Sequence, residues 1–190
     1  MMESWDVVEW GKPLQQRVRE VPQPAGTQVL LRVSHCGVCH SDLHVQDGFF
    51  DLGGGKKLDL GARGLKLPVT LGHEIVGEVV AIGDEVRDVV VGRRYLVNPW
   101  TGCGRCALCL ADRDNLCATG PAIGVNLPGG FASHVLVPRP KYLVDIDGLD
   151  PAQAAPLACS GLTTYAAARK LQPIIADEWV AVLGCGGLGL

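Results

Sequence analysis

Hydrophobic positions along the first part of the chain fall into short runs separated by Gly and Pro. "TQVLLRVS" (Thr27–Ser34), "EIVGEVVAI" (Glu74–Ile82), "RRYLVNP" (Arg93–Pro99), "FASHVLVP" (Phe131–Pro138) and "KYLVDI" (Lys141–Ile146) are rich in Val, Ile and Leu. Turn-forming stretches such as "PAG", "IGD" and "LPGG" lie between them. Many short strands at this spacing predict a mainly β domain, a barrel or a sandwich. Residues 48–67, "GFFDLGGGKKLDLGARGLKL", interrupt the pattern and read as an irregular loop. A loop of that length inside a compact domain is unusual and often functional.

The pattern changes at Asp150. "DPAQAAPLACSGLTTYAAARKL" opens with an N-cap Asp, Pro151 at the first helical position and Gln153 three residues after the cap. Pro156 and Gly161 predict a short helix, a break near Pro156 and a second helix to about Leu171. "EWVAVLGCGGLGL" (Glu178–Leu190) then reads as a buried strand running into glycines. Two regions are expected: a β domain over 1–149, and over 150–190 linker helices, one strand and a glycine turn.

Composition narrows the class. Of 190 residues, 47% are hydrophobic and 19% charged, enough to bury a core. A formal charge of −3 offers no basic footprint for nucleic acid. The start, "MMESWDVVEWGK", lacks a signal-peptide apolar region. No run reaches the roughly 18 apolar residues of a membrane span. The expectation is a soluble, cytoplasmic protein without nucleic-acid or membrane partners. In a reducing compartment the eight cysteines point to metal or chemistry rather than a disulfide framework.

Their spacing carries the argument. "CGRCALCLADRDNLC" sets Cys103, Cys106, Cys109 and Cys117 at C-x2-C-x2-C-x7-C. Four thiolates this close can complete a tetrahedron around one Zn²⁺, leaving no open position, so the site reads as structural. C-x-x-C pairs can also be redox dithiols, but the fourth cysteine favours metal. "HCGVCHSDLH" (His35–His44) holds another C-x-x-C at Cys36 and Cys39. It could be half a structural site, a dithiol, or one ligand with a bystander. A catalytic zinc takes three protein ligands and an open position. His73, in "TLGHEIVGEV", is by itself more consistent with a hydrogen-bonded core or surface histidine than with a ligand, and its neighbour Glu74, which could ligate or orient one, shifts the balance only slightly.

"GVCHSDLH", "LGHE", the four-cysteine lobe, "APLACSGLTTY" and "GCGGLG" occur here in one order. In that order they resemble the zinc-dependent medium-chain alcohol dehydrogenases. "NPWTG" and "KLPVTLGHEI" look like bacterial and archaeal secondary-alcohol members. The resemblance spans essentially the whole chain. It implies a GroES-like barrel catalytic domain followed by the truncated start of an α/β Rossmann domain. The implied activity interconverts primary or secondary alcohols with aldehydes or ketones by hydride transfer to NAD(P).

The resemblance also assigns residues. Cys39, His73 and Cys159 match the catalytic zinc ligands, and Glu74 a conditional ligand. Ser41 matches the hydroxyl that bonds the substrate oxygen, and His44 the residue passing its proton to solvent. A hydroxyl can donate and accept at once, and imidazole titrates near physiological pH. His40 matches a contact to the cofactor pyrophosphate, Thr163 a residue near the nicotinamide, and Trp100 a wall of the substrate pocket. Asp42 would orient a histidine. Cys36 falls outside the ligand set and reads as core. Two zincs per chain are implied, one catalytic and one structural.

Gly184, Gly186 and Gly189 form G-x-G-x-x-G after the expected strand, the pattern that brings backbone close to a dinucleotide pyrophosphate. The acidic residue about 20 positions further on, which favours NAD, lies outside these residues. NAD therefore rests on resemblance and NADP stays open. The chain reads as an N-terminal fragment, inactive alone, of a full-length homo-oligomer, dimer or tetramer. An alternative of another class is a catalytically inactive zinc-binding or interaction module derived from a dehydrogenase.

Overall fold

A computed structural model describes residues 1–171 and 178–189. The strands are β1 (Met2–Val7), β2 (Gln15–Arg19), β3 (Val29–Gly37), β4 (Phe49–Asp51), β5 (Lys57–Asp59), β6 (Val69–Thr70), β7 (Glu74–Ile82), β8 (Arg94–Val97), β9 (His134–Val137) and β10 (Leu143–Asp145). The helices are α1 (His40–Asp47), α2 (Ala107–Leu110), α3 (Pro151–Ala154) and α4 (Ser160–Leu171). A 3-10 turn, Ala155–Ala158, joins α3 to α4. The break at Pro156 thus falls where the sequence places it.

Three antiparallel sheets form, in the orders β2-β1-β6, β10-β8-β7-β3-β9 and β4-β5. The five expected strand regions each hold a strand and together make the central sheet. The strands do not close one continuous barrel among the described residues. Instead Gly129–Ser133 stitches the two larger sheets together. Its backbone bonds Thr70, Leu71, Glu3 and Trp5 along the β2-β1-β6 sheet, and the Ser133 carbonyl accepts the Val33 amide of β3 in the central sheet. Residues 48–67 are not wholly irregular. Phe49–Asp51 pairs with Lys57–Asp59 as a hairpin, because Gly53, Gly54 and Gly55 supply left-handed backbone at its tip.

Three apolar clusters fix the segments that matter below. Alternation along the central sheet buries Val29, Leu31, Ile75, Val79, Val97, Val135 and Val137. Each such side chain contributes about 1.5–3 kcal/mol relative to exposure. On the other face of β7, Val76 packs with Leu96, Ile146, Ala154, Ala155 and Ala158. Alanines let the 3-10 turn lie close on the sheet, so the change at Asp150 alters secondary structure but not core. Val45 of α1 packs with Val7, Leu60, Val69 and Leu71.

The expected buried strand after Glu178 does not form. Glu178–Cys185 has no strand pairing, and Trp179, Val182 and Leu183 are exposed. A buried strand needs partners on its edges and covered faces; the described residues provide neither there. The glycine turn itself is present. Gly184 takes φ 98°, and a Cβ on Gly189 would overlap the Gly184 carbonyl oxygen.

Candidate metal centres

The lobe after β8 gathers its four cysteines through tight turns. One ligand atom from each of Cys103, Cys106, Cys109 and Cys117 lies within 4.8 Å of every other. Sγ–Sγ separations are 3.9 Å for Cys103–Cys109, 3.5 Å for Cys106–Cys109 and 3.8 Å for Cys106–Cys117. A tetrahedron with Zn–S bonds of about 2.3 Å has edges of about 3.8 Å. A disulfide needs about 2.05 Å. The donor set and its spacing therefore fit one zinc and not crosslinks. Backbone amides of Arg105 and Cys106 hold the Cys103 thiol down at about 6. Burial instead pushes Cys109 up to about 12. A bound cation overrides such differences, since a coordinating thiol is deprotonated outright.

The lobe is tied to the sheet through Asp114. Its Oδ1 accepts the Tyr142 hydroxyl at 2.9 Å, and its Oδ2 the Lys141 ammonium at 2.7 Å. The Tyr142 oxygen in turn accepts the Gly102 amide at 3.0 Å. The Lys141 hydrogen bond is the main reason the Asp114 carboxyl sits below its usual range.

The second cluster draws on three separated segments. Cys39 precedes α1, His73 directly precedes β7 and Glu74 begins it, and Cys159 follows the 3-10 turn. One ligand atom of each lies within 4.8 Å of all the others. The Cys39 and Cys159 sulfurs are 3.8 Å apart, again the edge of a zinc tetrahedron. A bulge between Val33 and His35 re-aims the end of β3. The strand then pairs Gly37 with Glu74 and delivers the chain to Cys39.

Asp42 organises this cluster. Its Oδ2 accepts the Cys39 amide at 2.9 Å. Its Oδ1 accepts the Gly72 amide at 3.1 Å and bonds His73 Nδ1 at 3.2 Å. That contact leaves His73 Nε2 for the cluster. Asp42, His73 and Glu74 are only 2%, 3% and 4% exposed, so water competes little for these contacts. Burial alone would lower His73, but Asp42 and the Cys159 thiol outweigh it and raise the imidazole to about 11. Burial also works to raise Cys39, yet the Ser41 amide and hydroxyl, with His73, hold it below the usual thiol value.

Other residues singled out by sequence sit around this cluster. Ser41 and His44 lie on α1 three positions apart, the spacing of neighbours on a helix surface. His40 and His44 stack at 4.7 Å, and His44 meets Phe50 at 4.9 Å. Trp100 forms an isolated bridge with Ala122 and is partly exposed. Thr163 donates its amide to Cys159 at 2.9 Å in the first turn of α4. Gly184, Gly186 and Gly189 form an exposed turn with no strand before it, so the described residues build no pyrophosphate cradle there.

Cys36 lies outside both clusters. It packs on the sheet core, and burial pushes its thiol up to about 12, an unreactive setting. His35 and His134 also lie outside both. Sequence reasoning missed Gly37, Phe50 and the Asp114–Tyr142 tie. Only for Phe50 is there a readable cue, an aromatic pair directly after the helix-ending Gly48.

Comparisons agree in kind. Residues 25–148 match the family described as "Alcohol dehydrogenase GroES-like domain". A "NAD-dependent alcohol dehydrogenase" of Sulfurisphaera tokodaii is 43% identical over 98% of this chain and 52% of its own length. The alcohol dehydrogenase of the archaeon Aeropyrum pernix superposes with a TM-score of 0.83 at 30% identity, covering 98% of this chain and 53% of that one. An acetophenone reductase of Geotrichum candidum, solved with NAD, gives 0.78 at 30%, covering 99% and 52%. The chain spans about half the length of the curated relatives it matches.

Proposed function

The chain belongs to the alcohol dehydrogenase GroES-like domain family, and on that premise we propose that it supplies the metal-bearing catalytic part of a zinc-dependent oxidoreductase. The reaction interconverts a primary or secondary alcohol with an aldehyde or ketone, and NAD is the hydride acceptor. The observation that carries this reading is the convergence of Cys39, His73, Glu74 and Cys159 from three distant segments. A second cluster made only of cysteines stands apart from it. One cluster offers a closed thiolate shell, the other a mixed set that keeps a position for substrate once Glu74 withdraws.

When bound at the mixed cluster, zinc supplies a Lewis acid that makes an alcohol hydroxyl easier to deprotonate. The chain's own groups do the rest. Asp42 holds His73 and the Cys39 amide in place. The Ser41 hydroxyl accepts the substrate proton and hands it along α1 toward His44, one turn away. His44 releases it to solvent, with its ring held between His40 and Phe50. Trp100 walls the substrate side. His40 and Thr163 contact the cofactor, and the glycines at 184, 186 and 189 do so in a protein of the relatives' length, where further chain completes the cradle that the described residues do not build. NAD as acceptor rests on the names of the relatives, and the hydride-transfer activity is assigned to a protein of their length.

The test is alcohol-dependent NADH formation by such a protein. His44→Ala should slow alcohol oxidation about 100-fold, with partial rescue by added imidazole. A wild-type protein that forms no NADH with any primary or secondary alcohol would sink the reading.

A further inference from the structure

We propose that Gly37 is a positioning residue, whose missing side chain leaves the space through which the Glu74 carboxylate reaches the mixed metal cluster. The inference rests on the metal reading of that cluster. Gly37 and Glu74 are directly paired across β3 and β7, so their side chains share a face. The Glu74 side chain occupies the ground a side chain at 37 would fill. A Cβ there would overlap Glu74 Oε2 and lie 3.0 Å from its Cβ and 3.2 Å from its Cδ.

Backbone geometry gives no other reason for glycine. Gly37 is absent from the positive-φ glycines, so an L-residue could adopt its conformation. The requirement is spatial. From β7 the carboxylate crosses Gly37 toward the Ser160 amide, beside Cys159, and comes within 4.8 Å of the other three ligand atoms. The atom that would first have to move for alanine is the far end of this one side chain. Gly37→Ala therefore displaces the carboxylate from the cluster, while the 3.0 Å approach to the Glu74 Cβ asks the paired strands to give by only a few tenths of an ångström. Residue 37 sets whether three or four protein groups reach the metal.

The test uses the Co²⁺-loaded chain, with imidazole as a competing ligand followed by visible absorption. If Glu74 holds the position most of the time, it weakens imidazole binding by the inverse of the free fraction. Gly37→Ala and Glu74→Gln should each bind imidazole about threefold more tightly, or better, and the double variant no more tightly than either. A Gly37→Ala titration that overlays wild type while Glu74→Gln is shifted overturns the role of Gly37. An unshifted Glu74→Gln overturns the reach of Glu74. Melting provides a check should Gly37→Ala fold poorly. In a Glu74→Ala background only the 3.0 Å contact to the Cβ of residue 74 remains, so alanine at 37 should lower Tm clearly less than it does beside Glu74; an equal loss in both backgrounds overturns the proposal. Failure of the underlying metal reading looks different: the wild-type chain would then bind a single cobalt equivalent, or Cys159→Ala would keep as many as the wild type.

Discussion

At Asp42 one buried carboxylate holds two backbone amides and an imidazole. Asp42→Ala removes the acceptor for all three at once. Zinc affinity at the mixed cluster should fall about 10–100-fold, measured by competition with a chelator, while the four-cysteine site keeps its metal. Equal affinity in the variant would contradict the orienting role. His73 adds a pH dependence. In the metal-free fold its pKa is raised from 6.5 to about 11. A raised pKa stabilises the fold fully below pH 6.5, and the contribution is lost as pH climbs through about 11. A ligating imidazole must give that proton up, so metal binding should release protons and tighten as pH rises across this window. Calorimetry in buffers of different ionisation enthalpy counts the protons, and zero release would contradict the assignment.

Among the elements, those with Val- and Ile-rich runs were legible. β7 lies at Glu74–Ile82, as the run predicts. The elements that escaped reading are polar where they are buried. β1 turns Ser4 and Asp6 inward and Trp5 outward, so its alternation is invisible to a hydrophobic pattern. β2, "QQRVR", is almost wholly exposed. α1 buries only Asp42 and Val45 and owes its limits to capping, with Asp42 at its start and left-handed Gly48 at its end. The same helix brings Ser41 and His44 to one side, which spacing alone did not reveal in "HCGVCHSDLH". At this scale the lobe's tie to the sheet is testable. Tyr142→Phe removes the hydroxyl between Asp114 and Gly102. The change should cost about 1–3 kcal/mol and speed hydrogen exchange over residues 102–117. Unchanged exchange there would contradict the tie.

For the whole molecule, three apolar clusters do what no single motif could. The central core sets β3 against β7, the alanine-rich contact brings the Cys159 segment onto β7, and the third cluster seats α1. The four-cysteine lobe was readable because its cysteines are local in sequence. The mixed cluster was not, because its residues span Cys39 to Cys159 and only resemblance joined them. The glycine fingerprint was readable as a turn, but the strand expected before it requires partners that the described residues lack. The claim that these clusters make two distinct metal sites is tested most directly by elemental analysis of the purified chain and its Cys39→Ala variant. The account predicts two zincs per chain, and one in the variant with the cysteine lobe still loaded. A single zinc in the wild type, or two retained in Cys39→Ala, would contradict it.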